Sequence, residues 1–555
     1  MFTVRYHTLG EQNAARLPLA TPTRSYGQHP PFSRWPLQVQ WLSSGEEDLS
    51  VRILSGFLAC LIAGALVGCL PPSSILKTGA VLAPEAPAGC GPAVADIENR
   101  VRQTMSRSRI PGLSVVICDS RGPIWEAGFG YGDDGRTVPV DGNTLFSIQS
   151  MSKTFTAVGV LTAVRDGLVE LDAPISRYLP EFRVRSIFED RPQDRITLRH
   201  LLTHTAGFTH EAPGGGNFDG TEIAFDRHAE NIQDTWLMCR VGERYQYSNL
   251  GIDLAGFVVG RVSGTPFIDY MGRNVFAALD LDRTTMDPSR IRTDTNRARG
   301  HQRGFGRLPV VVPMTGAGGV YASAHDLGTF LTFMLKEGRP EGQPGGQLLP
   351  PGLFREMYTT PNHGGYGLGV AVGRRGSDLY FHHGGGGYGF LTYMAWYPTL
   401  DIAVAVLTNS SAHDSEQVRL AGRIVEKLVD ADLVATRRPL TSLPVTGFSI
   451  GEIADNSWYF DLHPGRTAWK PAWEPYLGTY RLSFYAEPLW YTKLLLAMGM
   501  PRAAHIRVRR QGDTMTVDGV QLLEHEPGLF FSKTGEALDF RSDPPTWRNV
   551  ALTRR

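Results

Sequence analysis

Apolar and polar positions alternate along this chain in two periods, and the places where the period changes outline its organisation. From Asp96 to Ser106 the apolar residues recur at helical spacing. Gly112–Cys118 and Ile124–Gly128 alternate with a period of two on either side of Asp119-Ser120-Arg121-Gly122, which predicts a β-hairpin. Helical patterns over Ser150–Asp166, Leu198–Thr203, Leu250–Val262 and His325–Lys336 make the middle α-rich. Strand patterns return at Tyr380–His382, Phe390–Trp396 and Ile402–Thr408, and a helix over Ser415–Val429 closes the unit. Strands at both ends with helices between them predict an α+β domain over residues 95–435, its sheet completed late in the chain and its helices packed over and beside it. A Pro- and Gly-containing linker spans 436–470. From 471 to 555, short runs such as His505–Arg510, Thr514–Val517 and Gly528–Ser532 alternate with turns, as in a small β-barrel or sandwich.

The N-terminal part follows another logic. Ile53 to Leu70 is the one strongly apolar run, too short and too rich in small residues for a two-ended membrane span. With Arg52 before it, residues 51–68 read as a signal peptide, or alternatively as an uncleaved anchor. Leu66-Val67-Gly68-Cys69 resembles the lipobox at which bacterial signal peptidase cuts ahead of a lipid-modified cysteine. Cys69 is then the first mature residue, residues 69–94 a flexible Pro/Ala/Gly-rich tether, and residues 1–50 a non-structural extension ahead of an alternative start near Val51. The expected location is the bacterial cell envelope, with the domain held by its lipid on the periplasmic or outer side.

Composition narrows the remaining classes. A chain of 555 residues with 42% apolar and 20% charged residues has the usage of ordinary globular domains and the length of several of them. Lys+Arg and Asp+Glu both number 55, so no basic excess points to nucleic acid. The cysteines Cys60, Cys69, Cys90, Cys118 and Cys239 have no C-x-x-C spacing. His200 and His204 stand one helical turn apart without an intervening Glu or an evident third ligand, and read as structural rather than metal-binding. No cofactor or metal is expected.

Ser150-Met151-Ser152-Lys153 opens a predicted amphipathic helix, and its i, i+3 spacing puts both side chains on one face. Serine is a poor nucleophile until a neighbouring base takes its proton, and a lysine enclosed in a pocket can do that. Ser74-Ile75-Leu76-Lys77 has the same four-letter form but falls in the tether. Context separates the two. Tyr247-Ser248-Asn249 follows about a hundred residues after Ser150, and His383-Gly384-Gly385 lies on a late strand. Ile196-Thr197-Leu198-Arg199-His200-Leu201-Leu202-Thr203-His204-Thr205-Ala206-Gly207 stands between the first two elements, and Gly316-Ala317-Gly318-Gly319-Val320-Tyr321-Ala322-Ser323 precedes the last.

In this order the motifs S-x-x-K, Y-x-N and H-x-G resemble those of the class C β-lactamase-related serine hydrolases, relatives of the penicillin-binding proteins, over residues 95–432. The resemblance implies a β-lactamase/transpeptidase-like antiparallel sheet flanked by helices with an α-rich subdomain. It implies an acyl-enzyme on Ser150, with Lys153 and Tyr247 sharing removal of its proton, and Asn249 orienting Lys153 and the substrate. The backbone N–H groups of Ser150 and Gly386 are the implied oxyanion hole, with His383 and Gly385 beside the substrate. Where many members carry K-T-G, with a lysine that holds a substrate carboxylate, this chain has His383. Lys77-Thr78-Gly79 and Lys533-Thr534-Gly535 spell K-T-G elsewhere and read as turns.

The substrate expected is an ester or a D-amino-acid, peptidoglycan-type peptide, with β-lactam hydrolysis as the alternative and an inactive binding or sensor protein of the same fold as the non-enzyme alternative. Gly447-Phe448-Ser449-Ile450-Gly451 matches a nucleophile elbow but lies in the linker without the strand, helix and downstream partners that motif requires. Tyr476-Leu477-Gly478-Thr479-Tyr480-Arg481 is similar to the start of lipocalin-like domains appended to some relatives. The oligomeric state is left open.

Overall fold

The structure, a computed structural model, describes residues 75–82, 90–210, 223–302, 308–339, 347–360, 365–376, 378–413, 415–434, 464–482, 505–547 and 550–554. All belong to one compact unit, Cys69–Arg555. The extension 1–50, the apolar run 51–68, Cys69, Ser74 and Ser449 lie outside the described residues, as does most of the 436–470 linker.

The early strands are β1 (Lys77–Leu82), β2 (Gly112–Asp119), β3 (Gly122–Gly130) and the short β4 (Phe146–Ser147). The later ones are the short β5 (Tyr321–Ala322), β6 (Ala371–Arg375), β7 (Asp378–Gly387), β8 (Phe390–Tyr397) and β9 (Ile402–Thr408). Seven of them form one sheet in the order β1-β3-β2-β9-β8-β7-β6, with every neighbouring pair antiparallel. The pairing of β2 with β9, Leu113 opposite Thr408 and Cys118 opposite Ala403, joins the two ends of the domain. Along β2 the side chains divide by alternation. Val115 and Ile117 pack with the helices Cys90–Ser108 and Glu416–Asp430 on one face, and Val116 and Cys118 join the larger core on the other.

That larger core surrounds the helix Ser152–Arg165, which is buried at every position from Ser152 to Ala163. The expected amphipathic helix is therefore a central one. Its neighbours on all sides are apolar, so no solvent face remains for its threonines, which bond backbone carbonyls instead: Thr154 to Gly369 (2.8 Å) and Thr156 to Gly316 (2.7 Å).

Two segments expected to be a flexible tether are ordered here. Lys77–Leu82 is the edge strand β1, paired with β3, and the N-terminal helix begins at Cys90. Composition hid both, because a β-edge and an Ala-rich first turn carry little periodic signal. Lys77 forms an ion pair with Glu98 at 2.5 Å. Likewise the glycine run Gly384–Gly387 continues β7 to its end, and the turn falls on Tyr388-Gly389, both at positive φ.

C-terminal to the linker, eight short strands from Gly478–Leu482 to Val550–Arg554 pair antiparallel in sequence order, and the last returns to pair with the first. The closed ring encloses its own apolar cluster of Trp473, Leu522, Phe530, Leu538 and Trp547.

Trp396 on β8 is fully buried, donates to the Tyr358 hydroxyl at 3.0 Å and lies against Phe381, which stacks on Tyr358. Trp396→Ala removes the largest side chain of this layer and leaves a cavity. A loss of about 3–5 kcal/mol in unfolding free energy is expected from denaturant titration.

Candidate active site

Ser150 sits in a single 3₁₀ turn, Gln149–Met151, that leads into the central helix. Gln149 adopts φ +51°, a left-handed conformation that costs a residue with a Cβ on the order of 1 kcal/mol and persists only where surroundings impose it. They do so here. The Ile148 N–H donates to Val320 O (3.0 Å), and Ile148 O accepts from the Thr392 hydroxyl (2.9 Å). The buried Gln149 side chain donates to Ser147 Oγ at 2.7 Å. Ser150 itself remains half-buried and open to solvent.

Lys153 follows one turn later and is fully buried. Its Nζ reaches Ser150 Oγ at 3.0 Å, Asn249 Oδ1 at 2.8 Å and Ala317 O at 2.9 Å. An amine out of water needs a partner for each N–H, and these three come from separate segments. Two of them, an amide oxygen and a carbonyl, can only accept. Ser150 Oγ can accept or donate. The contact with Ser150 Oγ is thus the one of the three along which a proton can pass between the two side chains.

The Y-x-N segment arrives through the N-terminus of the helix Asn249–Ser263, where Ser248 Oγ caps Gly251 N at 3.2 Å. Asn249 is the first residue of that helix and is buried, with its amide nitrogen 3.3 Å from Met314 Sδ. Tyr247, just before the cap, presents its ring face to Lys153 Nζ, 4.9 Å from the centroid. It lies between the rings of His204 (4.4 Å) and His210 (5.6 Å). His204 takes φ +59° and accepts from the Ser248 N–H (3.2 Å), and burial first, then the nearby Lys153, hold its imidazole well below the usual histidine range. His200 caps its own helix with Thr197 in a reciprocal pair. Among the described residues no group of His, Cys, Asp and Glu side chains is placed to hold a metal.

Strand β7 closes the other side. The turn at Tyr388-Gly389 makes Gly387 and Phe390 the closing pair of the β7–β8 hairpin, so by ladder alternation Gly386 is in a non-bonded pair with Leu391 and its N–H faces away from β8. β6 pairs β7 only as far as His382, which leaves that edge open beside Ser150. Gly385 permits the approach: a Cβ there would stand 2.1 Å from Ile148 O and 2.4 Å from Thr392 Oγ1.

His383 is buried and neutral. Its Nδ1 lies 2.7 Å from Gly384 O, which can only accept, so Nδ1 carries the proton and Nε2 accepts from the Tyr366 hydroxyl at 2.7 Å. Burial, then the charge of Lys153, push its pKa down to about 3. Both ring nitrogens are engaged within the protein. His382, on the opposite face of the strand, stacks on Tyr380.

The structure thus brings together Ser150, Lys153, Tyr247, Asn249, His383, Gly385 and Gly386, and separates them from Lys77. The sequence motifs do not reveal Gln149, Ala317, Tyr366 or Thr392 as neighbours that hold them. Ala317 lies within a recognised signature, but its role is a backbone carbonyl, which no side-chain pattern encodes. Tyr366 sits in a glycine-rich stretch without local signal.

Two outcomes follow from this geometry. Gly385→Ala must push β7 from the Ser150 turn, and a fall in turnover of tenfold or more is expected, read as kcat on an aryl ester. His383, bound neutral, titrates lower in the folded than in the unfolded chain, where histidine has its ordinary value near ~6.5. Its contribution to stability is complete above that value and is lost as pH falls toward about 3. Urea titrations between pH 7.5 and 4.5 are expected to show falling stability, with His383→Asn reducing the slope by up to ~1.4 kcal/mol per pH unit.

Comparison with known proteins gives the family. The chain is 29% identical to "Esterase EstB" of Burkholderia gladioli over 203 residues, 34% of this chain and 51% of that protein. It is 22% identical to a "Beta-lactamase" of Providencia stuartii over 369 residues, 60% of this chain and 91% of that one. The chain spans 42% to 65% of the length of the first curated relatives it matches. The octameric penicillin-binding protein homologue from Pyrococcus abyssi superposes with a TM-score of 0.51 at 19% identity, covering 83% of this chain and 98% of that one, a likeness of fold. The family model described as Beta-lactamase matches residues 97–428, more than half of the chain, and the protein belongs to this β-lactamase-fold family of serine hydrolases.

Proposed function

We propose that the protein hydrolyses small esters or D-amino-acid, peptidoglycan-type peptides through an acyl-enzyme on Ser150. The observation that carries this reading is the contact of Lys153 Nζ with Ser150 Oγ, made while acceptor-only groups hold its other two bonds. In the first step Ser150 Oγ bonds to the substrate carbonyl carbon and its proton passes to Lys153. The resulting oxyanion is met by the N–H groups of Ser150 and Gly386. The tetrahedral intermediate then collapses, the leaving group takes a proton by way of Tyr247, and water releases the acyl group in a second round of the same chemistry. Asn249 fixes the Lys153 amine throughout.

His383 decides the order of substrates. A neutral imidazole whose two nitrogens are already bound supplies no cation for a substrate carboxylate, so esters, and peptides with no carboxylate at that place, stand ahead of β-lactams. The similarity to a protein named a β-lactamase keeps β-lactam hydrolysis as the second reading. The C-terminal ring is read as a small lipocalin-like barrel, and the Cys69 lipobox as a lipid anchor that places the enzyme in the bacterial cell envelope.

A panel of short-chain aryl esters, D-amino-acid peptides and a chromogenic cephalosporin tests this. Ser150→Ala is expected to lower ester or peptide turnover by about 10³-fold or more. Full activity in that variant refutes the assignment, cephalosporin turnover approaching the diffusional ceiling of ~10⁸ M⁻¹s⁻¹ reverses the substrate order, and a wild type inert to the whole panel and to a fluorophosphonate favours a binding protein.

A further inference from the structure

The ring is apolar on two sides. In its strands Leu522, Phe530 and Leu538 point into the ring's own core. By alternation Leu523, Leu529, Phe531 and Ala537 point outward, yet they are buried too, against Ile187, Phe188 and Trp236 of the hydrolase domain. Phe531 meets both Phe188 (6.4 Å) and Trp236 (5.4 Å) edge-on. This face is docked.

At its rim stands the turn Ser532–Glu536, which contains Lys533-Thr534-Gly535. The turn reading of this K-T-G is met: Gly535 has φ +90° and its N–H donates to Ser532 O at 2.9 Å. The tip does more than reverse the chain. Gly535 lies flat on the Met238 carbonyl, where a Cβ would come within 2.0 Å of the oxygen. Arg244, 5% exposed, donates through Nη2 to Thr534 O (2.8 Å) and to Met238 O (3.1 Å).

Arg244 precedes Tyr247 by three residues and Asn249 by five. The segment from Met238 to Asn249 is tied on its inner side to the turn at 204–207, by Met238 N to Gly207 O (2.7 Å), Gly242 N to Thr205 O (2.8 Å) and Gln246 N to His204 O (2.7 Å). On its outer side the described contacts include those from the 188–189 loop, from Arg195 and from the ring: Val241 N donates to Glu189 (2.6 Å), Arg195 to Val241 O (3.4 Å), Arg240 to Phe188 O (3.3 Å), and Arg244 to Thr534 O. The loop at 187–189 is itself packed on the ring.

We propose that the Ser532–Glu536 turn is a positioning element of the active site, acting through Arg244 to hold the segment that carries Tyr247 and Asn249, so that turnover requires the ring docked on the hydrolase domain. The inference rests on the Ser150 acyl-enzyme reading. Arg244 is a positioning residue: it touches neither the nucleophile nor its lysine, but displacement of Tyr247 and Asn249 by a fraction of an ångström is enough to slow chemistry without changing what binds.

Gly535→Ala tests this in the full chain, because it disturbs the docking contact from the ring side and alters no residue of the hydrolase domain. Turnover of an aryl ester, the rate of Ser150 labelling by a fluorophosphonate, and the unfolding midpoint are measured together. Gly535→Ala and Arg244→Ala are each expected to lower kcat and the labelling rate by tenfold or more, with KM changed by less than twofold. The double variant is expected to be no slower than the worse single one, since both break the same link. Labelling and kcat at the wild-type level in a Gly535→Ala protein with a lowered unfolding midpoint overturn the proposal and leave the turn a purely stabilising contact. Should Gly535→Ala not fold, Arg244→Met decides: it keeps the apolar stem and loses both donated bonds, and wild-type kcat in it overturns the proposal. Mapping the label by peptide mass keeps the two readings apart, because label on a serine other than Ser150 defeats the functional reading, whereas wild-type labelling of Ser150 in both variants defeats this one.

Discussion

The burial of one lysine amine organises this protein. Lys153 lies at the start of a helix with no solvent face, and an amine there is tolerated only if each N–H finds an acceptor. The acceptors come from Ser150 in the preceding turn, from the helix that begins at Asn249, and from the backbone at Ala317. Each must be held to within a few tenths of an ångström, and the surrounding elements supply the restraint. The central helix is clamped by carbonyls at Gly316 and Gly369, and Ser248 caps the helix of Asn249. Thr392 and Val320 hold Ile148, next to the strained Gln149 that precedes Ser150.

Strand β7 serves the same site by a different means. A side chain on β7 at Gly385 would strike the Ser150 turn, so close approach depends on glycine, and the following N–H at Gly386 is left free by the end of pairing with β6. The same edge carries His383, whose imidazole is absorbed into the protein by Tyr366 and by the adjacent carbonyl. A site with a lysine in that place offers a charge to the substrate, and this one offers a closed, neutral wall. The three-element pattern is thus kept while the group at its third position loses its charge.

The C-terminal ring belongs to this network rather than standing beside it. The outward side chains of three of its strands, Leu523, Leu529, Phe531 and Ala537, are apolar and buried, and its glycine turn rests on the backbone that leads to Tyr247. Phe188 and Trp236, which line the contact on the hydrolase side, lie in loops where no periodic pattern announces a buried face.

How much was legible in the sequence depends on whether the signal is local. The 3.6 and 2.0 periods placed four helices of the α-rich middle and the strands β2, β3, β8 and β9 within a few residues, because each buries one face or all of itself and is apolar accordingly, whereas short helices such as Phe225–Asn231 and Phe267–Met271 were not seen. Ser150, Lys153, Tyr247 and Asn249 were picked out by order and spacing, and the structure sets them close together. The edge strands β1 and β6 were not seen, as an edge strand is half-solvated and short. The glycine run of β7 reads as a turn until one knows that Ile148 O lies 2.1 Å from where a Cβ would be. The sequence alone therefore determined the fold family, and it singled out Ser150 and Lys153 as candidates for the chemistry and His383 as the histidine standing where many relatives carry a cation. Only the tertiary structure decided that His383 is neutral and occupied, that Ala317 and Gly386 present backbone groups to the site, and that Lys533-Thr534-Gly535 meets Arg244, because those facts are contacts between residues remote in the chain and between backbone atoms that every residue has.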